Sequence, residues 1–131
     1  GVSECLPRYY KAEQQGHDDE LLFKFRKAGV YKVGIHASAQ TGVGSNQDVV
    51  VNIYKSTDSG GSYGSSLHSF TVDASGTNQI DNDYDITFAA GDWVKIRATT
   101  TTGILALAVN ISVADENAIF GVDCVQINNY T

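Results

Sequence analysis

Charge is scarce in this chain: only 18% of its 131 residues are Asp, Glu, Lys or Arg, against about 25% in an average soluble domain. Ser, Thr, Asn and Gly fill the gap. They give a polar but uncharged surface, as is common on extracellular and virion β-proteins. What charge there is sums to −6, and such a field repels phosphate backbones and anionic lipid, so neither nucleic acid nor a membrane surface is an expected partner. No apolar run approaches the roughly 18 residues of a membrane-spanning helix. The first residues, GVSECLPRYYK, are polar and carry no signal-peptide core. Proline occurs once, and helical periodicity is missing throughout.

Chemical signatures are equally sparse. The three histidines, His17, His36 and His68, show neither HxH nor HExxH spacing. No Gly-x-Ser-x-Gly nucleophile elbow is expected in this chain. Neither cysteine has a second Cys or His at metal-ligand spacing. Two carboxylates facing across a cleft would suffice for a glycosidase, but most of the 15 acids fall in apparent turns. The expectation is a protein that is not an enzyme and needs no cofactor.

What the sequence does have is alternation. Phe23 and Phe25 alternate with Lys24 and Arg26; Tyr31, Val33 and Ile35 share a face, as do Val49, Val51 and Ile53. His68, Phe70 and Val72 alternate with Ser69 and Thr71, and Tyr84, Ile86 and Phe88 with Asp85 and Thr87. Val94, Ile96 and Ala98 oppose Trp93, Lys95 and Arg97. The longest stripe runs Leu105, Leu107, Val109, Ile111, Val113, against Ala106, Ala108, Asn110 and Ser112. A last short strand falls between Gly121 and Ile127. Period two marks strands with one buried face, and runs rich in Gly, Ser, Asn and Asp separate them. About eight such strands predict an all-β, antiparallel sandwich with jelly-roll topology over residues 21–131. Residues 1–20 lack periodicity and are expected to form an extended arm that reaches a neighbouring subunit.

Three stretches resemble the C1q/TNF-like jelly-roll module, as found in phage decoration, head-fibre and tail-fibre proteins. They are Gly29-Val30-Tyr31-Lys32-Val33, Ile53-Tyr54-Lys55-Ser56 and Phe88-Ala89-Ala90-Gly91-Asp92-Trp93-Val94-Lys95-Ile96. The resemblance spans roughly Leu21 to Val113, and the residues after it, from Ala114-Asp115-Glu116-Asn117 onwards, depart from the pattern. It implies a homotrimer on the virion surface, with other virion proteins as partners, acting as capsid decoration or cement or as a fibre module. The alternative is a carbohydrate- or receptor-binding module, secreted or on the virion, facing a cell-surface glycan or receptor.

Candidate residues follow from both readings. Trp93, Lys95 and Arg97 form an outward stripe, and an outward Trp suits either a subunit interface or a sugar ring. Ala106 and Ala108 would let a neighbour approach closely around a symmetry axis. Tyr63, in a Gly/Ser-rich loop, is a second candidate for ligand contact alongside Trp93. Asp81, Asp83 and Asp85, with Asp92 beyond, have the alternate spacing of calcium ligands, but Ile86 stands where such a loop needs glycine and Asp92 where it needs a bidentate Glu. A solvent-facing strand start whose charges discourage edge-to-edge pairing is the competing account. Cys5 and Cys124 would close nearly the whole chain in an oxidising compartment, worth about 4–5 kcal/mol; otherwise they are two separate buried thiols.

Overall fold

The computed structural model of the chain describes residues 8–14, 18–42, 45–46, 48–72, 79–80, 85–100, 104–114 and 121–127. Its strands are β1 (Arg8–Gln14), β2 (Asp18–Phe25), β3 (Gly29–Gly42), β4 (Ser45–Asn46), β5 (Val49–Ser56), β6 (His68–Val72), β7 (Gln79–Ile80), β8 (Asp85–Phe88), β9 (Trp93–Thr99), β10 (Ile104–Val113) and β11 (Cys124–Gln126). They pair antiparallel in two sheets. A six-stranded sheet runs β1-β10-β3, and β4, β7 and β8 each pair with β3. A five-stranded sheet runs β11-β2-β9-β5-β6.

Topology follows from the eight strands of four residues or more, obtained by setting aside β4, β7 and β11. In chain order, the first, eighth, third and sixth lie in one sheet and the second, seventh, fourth and fifth in the other. That interleaving is two Greek keys closed into a jelly roll. The chain is an all-β sandwich.

The inner faces are those the alternation marks. Leu21, Phe23 and Phe25 of β2, Val49, Val51 and Ile53 of β5, and Val94, Ile96 and Ala98 of β9 meet Tyr31, Val33, Ile35 and Ala37 of β3 and Leu105, Leu107, Val109 and Ile111 of β10. Each large apolar side chain buried this way contributes about 1.5–3 kcal/mol. One end of the core is aromatic. Phe25 stacks on Phe88 with ring centroids 4.0 Å apart, and Tyr31 tilts against both at 4.6 and 6.0 Å. The Tyr31 hydroxyl donates to the Lys27 carbonyl at 2.8 Å. Burial, then the nearby Cys124, push its phenol above the usual tyrosine range, against a hydrogen bond with the Asp123 backbone that lowers it. The β8–β9 turn beside this cluster is held by Asp92, whose carboxylate accepts from the Ala89 amide at 2.8 Å while Gly91 takes a left-handed φ of +94°.

Two expectations are corrected. Residues 1–20 are not an arm throughout: Arg8–Gln14 is the edge strand of the six-stranded sheet, paired with β10 from Arg8↔Ile111 to Gln14↔Leu105, and β2 already begins at Asp18. Residues 1–7 and 15–17 lie outside the described residues. On the register shared with the core residues of β10, β1 places Arg8, Tyr10, Ala12 and Gln14, so the apolar signal shrinks to two adjacent positions and reads as no pattern. The second concerns β3, of which the alternating residues Tyr31, Val33 and Ile35 mark only the first half. It continues past His36 to Gly42 through Ala, Ser, Gln and Thr because β10 stays paired with it as far as Ile104↔Gln40.

Candidate functional site

The outer face of the five-stranded sheet is where most of the candidate residues meet. Alternation along β9 turns Trp93, Lys95 and Arg97 outward. In register, Tyr54 of β5 stands beside Lys95, Asn52 beside Arg97, and on the other side Leu22 beside Lys95 and Glu20 beside Arg97. The loop between β5 and β6, residues 57–67, folds back over this face. Its Tyr63 ring lies under the Lys95 ammonium, 4.3 Å from Nζ to the ring centroid, and the Tyr54 ring lies 5.1 Å away. One lysine is thus held by two tyrosine rings, each contact worth about 0.5–1 kcal/mol at a half-exposed site.

Trp93 is covered by the same loop. Gly60 packs on its benzo ring so closely that a Cβ there would sit 2.7 Å from Cε3 and Cζ3, and 3.3 Å from the Tyr63 hydroxyl. Only glycine fits this approach, with its φ of +83°. The loop is tied internally by Ser56 and Asp58. The Ser56 hydroxyl donates to Asp58 Oδ1 at 2.6 Å and accepts from the Gly60 amide at 2.9 Å; the Ser62 amide and hydroxyl donate to the two Asp58 oxygens at 2.8 and 3.0 Å. These hydrogen bonds, from Ser56 first and then Ser62, hold the Asp58 carboxyl below its usual range. Burial, then the charges of Glu20 and Asp58, push the Tyr63 phenol up. The Trp93 indole Nε1 is shut away from solvent with no hydrogen-bond partner among the described residues.

The other outer face is plainer. β10 runs through the middle of the six-stranded sheet with Ala108, Asn110 and Ser112 outward and half-buried. Ala106 occupies the matching register position opposite Ser38, and Ala108 stands opposite His36 of β3. The structure therefore separates the residues grouped as one interface: Trp93, Lys95 and Arg97 lie on one side of the sandwich, Ala106 and Ala108 on the other. Tyr63 and Trp93 come together as the sequence reading paired them.

Of the acidic and cysteine candidates, Asp85 and Cys124 lie among the described residues. Asp85 is exposed at the start of β8, opposite Lys32 of β3; Asp81 and Asp83 lie outside the described residues. Among the described residues no three His, Cys, Asp or Glu side chains converge as a metal would need. Cys124 is buried on β11, and Cys5 lies outside the described residues. Gly60-Gly61-Ser62-Tyr63-Gly64 has the spacing of a nucleophile elbow, but it sits in an exposed loop between two strands and its serine serves Asp58.

Three participants escaped the sequence reading. Tyr54 was visible as the outward neighbour of Ile53, yet only the β5–β9 register puts it at Lys95. Gly60 and Asp58 belong to a Ser-x-Asp-x-Gly-Gly-Ser run, whose spacing signals a tied turn but not the tryptophan beneath it.

No family model and no curated protein matches this chain. A similar solved structure is the crystal structure of the Yersinia pseudotuberculosis-derived mitogen YPM, at 12% identity and a TM-score of 0.49, covering 92% of this chain and 94% of that one. The likeness concerns the course of the chain only.

Proposed function

We propose that this protein is a non-enzymatic structural module of a virion, a decoration, cement or fibre domain that assembles as a homotrimer through the outer face of its six-stranded sheet. The observation that carries this reading is the contrast between the two outer faces. One is roofed by the chain's own loop; the other offers, on its middle strand, only small side chains at half-buried positions, Ala108 above all. Small residues along the middle strand let three copies approach around an axis, with Lys11 of β1 and His36 of β3 beside Ala108 in register. The C1q/TNF-like motifs of β3, β5 and β8–β9 support the same reading, as does a surface rich in Ser, Thr and Asn.

The test is a substitution that spoils one face only. Ala108→Arg places a cation at the centre of the proposed contact, and sedimentation is expected to show monomer where the parent shows trimer. Lys95→Ala, on the opposite sheet, is expected to leave the trimer intact. A trimer unaffected by Ala108→Arg contradicts the assignment of the face.

A further inference from the structure

The outer face of the five-stranded sheet carries a second set of features that assembly through the other sheet leaves unused. Two outward donors on β9, Trp93 Nε1 and the Lys95 ammonium, lie two residues apart, about 7 Å along a strand. Neither meets an acceptor among the described residues: Nε1 has no partner, and Lys95 touches only the two tyrosine rings. Leaving a buried donor without an acceptor is costly. A satisfied structural corner would have brought a carbonyl to the indole. Instead the loop lays Gly60 on the ring and leaves the nitrogen bare.

We propose that Tyr54, Tyr63, Trp93 and Lys95 form a binding strip for a neutral saccharide, with loop 57–67 as its cover. The two donors select a ligand rich in oxygen acceptors. The tyrosine rings supply flat faces for the C–H side of a sugar ring. Glu20 and Asp58 are close enough to perturb Tyr63, and their charge disfavours an anion. An apolar peptide would find too little here, since the surrounding residues are chiefly polar. A sugar that reaches the indole nitrogen lifts Gly60 off the ring, so binding is coupled to displacement of the loop.

The chain has one tryptophan, so intrinsic fluorescence reports on Trp93 alone. The experiment titrates the intact protein with lactose, maltotriose, chitotriose and sialyllactose while following Trp93 emission and its quenching by acrylamide. The expected result is a saturable change with at least one neutral sugar, weakened about tenfold by Tyr54→Ala and by Lys95→Ala. Both variants are checked for an unchanged far-ultraviolet circular dichroism spectrum and melting temperature. No saturable change with any of the four up to millimolar concentration overturns the proposal. So does binding that both variants retain in full, and a clear preference for sialyllactose overturns the choice of a neutral ligand. Because the strip lies opposite the assembly face, the outcome is independent of whether the chain forms trimers.

Discussion

A methyl group at Gly60 would lie inside the van der Waals surface of Trp93, on a backbone with φ +83°. Gly64 has a similar dihedral, +60°, but open space around it. The pair separates steric fit from backbone strain. Gly64→Ala is expected to cost only the left-handed strain, about 1–2 kcal/mol. Gly60→Ala adds overpacking of about 1–3 kcal/mol and shifts Trp93 emission, as urea unfolding followed by fluorescence will show; equal costs would mean the loop yields without resistance. Asp58 gives a pH signature. Its folded pKa lies below the unfolded value of about 3.9, so its contribution is fully present above that value and is lost as pH falls through the folded pKa. Melting temperatures of the parent and of Asp58→Asn are expected to differ at pH 6 and to converge as pH falls through the folded pKa. A constant gap would show that the carboxylate's charge is not what ties the loop.

At the scale of elements, alternation was legible wherever a strand buries one face against the other sheet. Val94, Ile96 and Ala98 were assigned inward from sequence and are buried, as are the four leucine, valine and isoleucine residues Leu105 to Ile111. The pattern gave no signal along β1 or along the small-residue end of β3. Nor can period two reveal what crosses a face: it set Trp93 outward, correctly, but the loop that covers Trp93 is a tertiary fact. Asp19 shows the reverse limit. Its position continues the inward series of Leu21, Phe23 and Phe25, and it is buried, which its charge argued against. The aromatic end of the core yields a direct test. Removing Phe88, which stacks on Phe25 and tilts against Tyr31, is expected to cost about 3–5 kcal/mol as Phe88→Ala, measured by denaturant unfolding. A loss under 1 kcal/mol would mean that this end does not hold the sheets together.

For the whole molecule, the strand interleaving leaves two outer faces of different character, one with Ala108, Asn110 and Ser112 half-buried along its middle strand, the other aromatic, charged and roofed. Sequence reasoning found residues of both but assigned them to a single interface, because nothing in a linear chain says which strands end back to back. Their separation is what allows the two proposals, assembly through one face and ligand contact at the other, to be tested apart. The central claim is the assembly, and light scattering on the unmodified chain after size exclusion tests it most directly. The account predicts a molar mass three times the 14.0 kDa of one chain. A mass of one chain that persists as concentration rises would contradict it.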